Sequence, residues 1–139
     1  FMYLTAIIDV YSRYIVGWGL SNTLDAASCL EVLRNAINQH GKPEIINSDQ
    51  GSQFTCRQYV EYLKTKGIKI SMDGKGRALD NIYIERFWRT IKYQHIHLFP
   101  AVDGLSLYMG IKKWLERYHY RSHQGIDRNK PSTLYLNAA

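Results

Sequence analysis

The chain has 139 residues, 45% hydrophobic and 22% charged, a composition that predicts one folded globular domain and excludes an intrinsically disordered protein. Eighteen Lys and Arg against twelve Asp and Glu give a net charge of +6, which favours a polyanionic partner. The two cysteines form no Cys-x-x-Cys pair and the apolar start is interrupted by Asp9, so we expect reduced thiols in a cytoplasmic protein without a membrane span or signal peptide.

The order of predicted elements indicates an α/β protein. Two runs of β-branched and aromatic residues, 3–9 and 14–20, predict a β-hairpin. Capping-box pairs, Asn22 with Asp25 and Thr55 with Gln58, predict the starts of the first two helices. The elements after the hairpin are predicted as a helix at 22–41, a buried strand at 44–48, a helix at 55–67, a strand at 68–71, a loop at 72–79, a helix carrying Glu85 and a helix at 105–120. This order predicts a mixed sheet flanked by helices.

Two carboxylates stand out because of where they lie in this pattern. Asp49, in Asn-Ser-Asp-Gln-Gly-Ser-Gln-Phe, follows a predicted strand and precedes a glycine turn, the strand end at which α/β sheets collect functional groups. After 35 further residues, Glu85 projects from a helix. Carboxylate oxygens are the ligands that Mg²⁺ or Mn²⁺ prefers. Twelve acids nevertheless make such a spacing common by chance, so the spacing alone is weak evidence for a site.

The helix that carries Glu85 has a polar stripe beside an apolar one. Its apolar positions are Ile84, Trp88 and Ile91, and its polar positions are Asn81, Glu85, Arg89 and Lys92. From spacing alone, a surface ladder of ion pairs is the preferred interpretation of these charges. Lys75 and Arg77, in the preceding loop, are on the same grounds a solvated turn.

The histidines and large aromatic residues favour structural interpretations. We predict no zinc site, because no paired cysteines accompany the histidines and single histidines near helix ends are usually structural or exposed. Trp88, Trp114 and the many tyrosines are more often core residues than surfaces on which bases stack. The histidines concerned are His95, His97, His119 and His123.

The Asp49 motif, the 35-residue gap and the segment from Asp80 to Trp88 together resemble the retroviral-integrase-like catalytic core of bacterial insertion-sequence transposases. The similarity continues in Ile8-Asp9-Val10-Tyr11-Ser12-Arg13 and in residues 118–131, so it covers nearly the whole chain. It implies a ribonuclease H-like fold and an Asp, Asp, Glu triad, with Asp49 and Glu85 as its last two members, holding two Mg²⁺ or Mn²⁺ ions. It also implies DNA contacts for Lys75, Arg77, Asn81, Arg89 and Lys92.

The resemblance also implies that residues 1–139 are an N-terminally truncated core domain with a C-terminal helix and a basic tail. In the family, the first Asp of the triad lies on a central strand just before the hairpin. Asp9 matches a different position, where its side chain is expected to cap the turn. A sheet that lacks a central strand has unpaired edges, which favour association at least as a dimer.

The resemblance therefore predicts a transposase core that cuts and joins transposon ends and target DNA in the bacterial cytoplasm, associated with the nucleoid when bound. The 139-residue chain is expected to be inactive alone. Two alternatives remain open. A non-catalytic DNA-binding and dimerisation fragment of the same fold predicts no metal-dependent nicking, whereas a ribonuclease H-type hydrolase predicts cleavage of hybrids without strand transfer.

Overall fold

The computed structural model describes residues 2–48, 52–72, 82–123 and 126–137. The chain divides into two compact units, one of Phe1–Ile7 and Gly17–Ile82, the other of Ile8–Val16 and Tyr83–Ala139. No helix in these described ranges is long and apolar enough to cross a membrane. The elements are β1 (Tyr3–Ile8), β2 (Ile15–Ser21), α1 (Ala26–His40), β3 (Ile45–Ser48), α2 (Ser52–Thr55), α3 (Arg57–Thr65), β4 (Lys69–Met72), α4 (Ile82–Ile91), a π-helix (Lys92–Ile96), α5 (Gly104–His119) and α6 (Pro131–Asn137).

The strands form two separate pairs in the described part of the chain. β1 and β2 pair as the predicted hairpin, and β3 pairs with β4 in parallel, with Ile46 opposite Ile70 and Ser48 opposite Met72. The prediction that the strand at 44–48 is buried is wrong, because the residues of β3 alternate between exposed and half-buried and Ile45 is 56% exposed. One face of this short strand is therefore not covered by the described residues.

Both predicted capping boxes are wrong, and local hydrogen bonds explain the difference. Asp25 is itself the N-cap of α1 and accepts a hydrogen bond from the Ser28 N–H at 2.8 Å, so α1 begins after it. Thr55 ends the short α2, and Cys56 precedes α3 without a side-chain capping bond. The predicted end of the first helix is confirmed: Gly41 follows α1 with φ of 84°, a conformation that glycine adopts without strain.

The core of the first unit lies between α1, α3 and β4. Its fully buried side chains pack as one cluster, to which half-buried Ile7 and Ile46 add apolar surface. β2 approaches α1 closely, because a Cβ at Gly17 would lie 3.0 Å from the Ala36 Cβ. The two elements therefore meet without an intervening side chain at this point. The buried cluster consists of Leu30, Leu33, Tyr59, Leu63 and Ile68.

Aromatic side chains form much of the core of the second unit. The Phe87 ring of α4 lies 6.0 Å from Trp114 and 5.5 Å from Tyr118, both on α5, and the latter two rings stack at 5.3 Å. All three residues are at most 5% exposed. The expectation that Trp114 is a core residue is confirmed, whereas Trp88 is only half-buried. Phe87 is not among the predicted apolar positions of α4. It is nevertheless the aromatic residue of this helix whose ring contacts both Trp114 and Tyr118.

The π-helix after α4 places His95 inside the second unit. His95 is 7% exposed, and its Nδ1 has no hydrogen-bond partner among the residues that the structure describes. Burial, followed by the charge of Arg117, lowers the pKa of His95. The absence of a side chain at Gly110 makes room for the ring, because a Cβ there would lie 2.9 Å from the His95 Nε2.

We expect Gly110→Ala to lower the free energy of unfolding by about 1–3 kcal/mol, the usual cost of forcing extra volume into a packed core. Urea unfolding measures this cost. In a His95→Ser background, where the ring is gone, the same substitution should cost nothing or should stabilise α5. An equal cost in both backgrounds would show that the His95 ring is not the obstacle.

Candidate active site

α4 presents Glu85 to solvent on the side opposite its buried stripe. Phe87 and Ile91 are the buried residues of this helix, and Ile84 and Trp88 are half-buried beside them. Glu85 lies in the first turn and is exposed, so it is not one of the buried residues of this helix. The position in the first turn also favours a negative charge, because the first N–H groups of a helix lack carbonyl partners.

The charged side chains of α4 and of Lys92, the first residue of the π-helix, do not pair with one another. Arg89 and Lys92 are exposed like Glu85. Within the described ranges, the only ion pair joins Arg57 and Glu61 of α3, so the predicted ladder of ion pairs on α4 is not formed. An exposed carboxylate on α4 is suited to binding a metal ion, and the cations of Arg89 on α4 and Lys92 at the start of the π-helix, which have no ion pair among the described residues, are suited to binding a phosphate.

The structure describes β3 up to Ser48, the residue before Asp49. β3 and β4 run in parallel and end side by side at Ser48 and Met72. One residue earlier, the Asn47 side-chain amide donates to the Ser71 hydroxyl at 3.2 Å across the two strands. The other predicted site residues, Asp49, Lys75, Arg77 and Asn81, lie outside the described residues.

Asp9 caps the hairpin turn, as expected from the sequence. Its Oδ2 accepts hydrogen bonds from the Ser12 N–H at 2.9 Å and from the Ser12 hydroxyl at 2.5 Å. The Asp9 N–H donates to the Tyr14 carbonyl at 2.8 Å, which closes the turn. This carboxylate is therefore used in the local structure of the turn.

Two histidines have structural hydrogen bonds that the sequence did not specify. The Nε2 of His119 accepts from the Ile15 N–H at 3.0 Å, and its ring stacks on Tyr14 at 3.8 Å. The Nε2 of His123 lies 3.0 Å from the Tyr118 carbonyl. The partner of His119 is 104 residues away and that of His123 is five residues away, and no sequence pattern predicts either hydrogen bond. From the sequence, only the position of His119 near a helix end indicated a structural role.

The comparisons with protein families cover most of the chain. A model described as "Integrase core domain" matches residues 1–78, and a second model with the same description matches residues 66–131. The transposase for insertion sequence element IS904 of Lactococcus lactis is 34% identical over 134 residues, covering 94% of this chain and 53% of that protein. Transposase InsF of IS3A from Escherichia coli is 32% identical over 98 residues, covering 69% and 34%. The chain spans about half the length of these relatives or less.

Solved structures share the fold at low identity. A chain of the simian T-cell lymphotropic virus intasome, in complex with the PP2A regulatory subunit B56 gamma, matches with a TM-score of 0.79 and 15% identity, covering 95% of this chain and 47% of that one. The HTLV-2 integrase catalytic core domain with magnesium, in a dimeric form, matches with 0.71 and 17%, covering 96% and 92%. This likeness confirms the predicted ribonuclease H-like α/β fold. The chain therefore belongs to the integrase core domain family, as a catalytic core of the kind found in insertion-sequence transposases.

Proposed function

We propose that this domain cuts and joins transposon DNA ends by metal-dependent phosphoryl transfer, with Asp49 and Glu85 as metal ligands. The observation that carries the proposal is the Glu85 carboxylate, which is exposed in the first turn of α4 and has no ion pair or hydrogen bond among the described residues. A core residue would be buried, and a salt-bridge partner would contact a cation. The structure of the HTLV-2 integrase core in complex with magnesium supports the choice of ion.

The chemistry follows from the type of ligand. Two Mg²⁺ or Mn²⁺ ions held by these carboxylates would supply Lewis acidity to the attacking and leaving oxygens of an in-line displacement. Glu85 would contribute hard oxygen atoms from the first turn of α4, and Asp49, which follows β3 in the sequence, would contribute others. Arg89 and Lys92 would hold the phosphates beside the reacting bond.

A third carboxylate belongs to this proposal. The two strand pairs are not hydrogen-bonded to each other in the described ranges, which supports a further strand between them, carried by a longer form of the protein. Such a strand would supply the first Asp of the triad, and residues 1–139 would then be the remaining part of the core domain.

The partners that we propose are transposon ends, target DNA and at least one further copy of the chain, in the bacterial cytoplasm. The net charge of +6 supports DNA. Self-association is supported by the dimeric form of the HTLV-2 core and by the exposed apolar side chains of Leu98, Phe99, Val102 and Leu105.

DNA binding by residues 1–139 should weaken steeply with salt. The double substitution of Arg89 and Lys92 by Ala should reduce the slope of log K against log[salt] by about two, because each lost phosphate contact lowers the slope by about 0.9. Salt titrations of fluorescent DNA measure the slope. The matched control removes two exposed cations of α5, Lys112 and Lys113. A slope unchanged by the substitutions of Arg89 and Lys92, or lowered equally by both pairs, would place the phosphate contacts elsewhere.

A further inference from the structure

The hairpin turn holds Arg13 in an unusual backbone conformation. Arg13 has φ of 65°, in the left-handed region that glycine and asparagine adopt more readily than arginine. A residue in this conformation persists only where its surroundings determine it, and such residues cluster at functional sites.

Several contacts, all in the second unit, fix this conformation. The Arg13 N–H donates to the Asp9 carbonyl at 2.7 Å, and the Arg13 carbonyl accepts from the Tyr118 hydroxyl at 3.1 Å. Burial raises the pKa of Tyr118 to about 12, so this hydroxyl keeps its proton and remains a donor. The backbone of the turn is thus attached to α5 by a hydrogen bond that does not involve the Arg13 side chain.

The Arg13 side chain reaches α4. Its guanidinium carbon lies 3.8 Å from the centre of the Tyr83 ring, a close cation–π stack. No ion pair or hydrogen bond of this guanidinium occurs within the described part of the chain. The Arg13 charge also acts on the Tyr118 hydroxyl, but the stack on Tyr83 is the close side-chain contact that the structure describes for this guanidinium.

Tyr83 is the second residue of α4 and lies two residues before Glu85. One turn further along the helix, Phe87 is already held in the aromatic core by Trp114 and Tyr118. The first turn is less firmly held: its described residues Ile82, Tyr83 and Ile84 are only half-buried, helix ends fray, and the first N–H groups lack carbonyl partners. A cation held over the Tyr83 ring restrains this turn, and with it the backbone that carries Glu85.

We infer that Arg13 is a positioning residue for Glu85, because its stack on Tyr83 fixes the first turn of the helix that presents this carboxylate. The inference rests on the proposed metal-binding role of Glu85. A residue that only stabilised the turn would not need a cation, because asparagine or glycine adopts the positive φ of position 13 more readily than arginine does.

The first test is amide hydrogen exchange on residues 1–139, read at Phe87 and Trp88, whose N–H groups bond to the carbonyls of Tyr83 and Ile84 in an α-helix. Arg13→Asn keeps a residue that tolerates the left-handed conformation but removes the cation. We expect it to speed exchange at both amides by about two- to fivefold, as loss of an exposed cation–π contact implies, while amides in the middle of α5 are unchanged.

Conservative variants separate the contact from general stability. Arg13→Lys and Tyr83→Phe retain a cation and a ring and should leave exchange close to that of the original chain, whereas Tyr83→Leu should behave like Arg13→Asn. Unchanged exchange in Arg13→Asn, or faster exchange spread equally over α5, would overturn the inference.

The second test is Mn²⁺ affinity, followed by paramagnetic broadening of amide signals near Glu85. Arg13→Asn should weaken Mn²⁺ binding by about two- to fivefold, and Arg13→Lys should restore it. Unchanged Mn²⁺ affinity in Arg13→Asn would refute the positioning of Glu85. If Glu85→Gln itself leaves Mn²⁺ binding unchanged, the proposed metal site fails, while the exchange measurement still decides whether Arg13 restrains α4.

Discussion

Replacing either proposed metal ligand by its amide, Asp49→Asn or Glu85→Gln, is expected to reduce strand transfer by about a thousandfold or more in a longer chain that contains the whole triad. Losing several kcal/mol of transition-state stabilisation by a metal ion corresponds to this factor, at about tenfold for each 1.4 kcal/mol. The amides preserve side-chain shape, so the fold should be retained. Strand transfer of labelled transposon-end DNA in Mg²⁺ or Mn²⁺ measures the loss.

The matched control for Glu85→Gln is Glu116→Gln, which removes an exposed acid from α5 in the same unit. Its activity should equal that of the unchanged protein. Retained activity in Glu85→Gln would contradict the proposed role of Glu85, and equal losses in both variants would indicate that net charge, not a metal ligand, is responsible.

Residues 1–139 alone are expected neither to cleave nor to join DNA, whereas a chain extended upstream through the first Asp of the triad should do both. Two divalent ions carry four positive charges, and Asp49 with Glu85 supplies two negative charges, so the second ion is poorly held without a third carboxylate. Side-by-side nicking and strand-transfer assays of the two chains, at equal concentrations and in Mn²⁺, measure the difference.

Asp9 is the residue that makes this prediction refutable. Its Oδ2 accepts two hydrogen bonds from Ser12 within the hairpin turn, which makes it a structural cap. Strand transfer by residues 1–139 that is abolished by Asp9→Asn, in a variant whose circular dichroism is unchanged, would make Asp9 the third ligand. Nicking without joining by the same chain would instead support a hydrolase.

The sequence alone determined the order of the main elements from the hairpin to α5 and the character of the Glu85 helix, but not the short α2, the π-helix or α6. Periodicity of apolar residues identified α1, α4 and α5, because burial of one face is a local property that repeats along the chain. The end of α1 at Gly41 was also predicted correctly, because a glycine with positive φ is a local signal that ends a helix. The motif around Asp49 and its spacing from Glu85 pointed to the integrase core family, which the comparisons confirm.

The tertiary structure alone decided which polar groups are partners. Asp25 became an N-cap and not the second member of a capping box, since its carboxylate found the Ser28 N–H. The unpaired state of Glu85 could not be predicted, because Arg89 has the correct spacing for an ion pair and only the side-chain conformations show that none forms. The stack of Arg13 on Tyr83 joins residues 70 positions apart, and no local pattern encodes a contact that depends on how the hairpin turn meets α4.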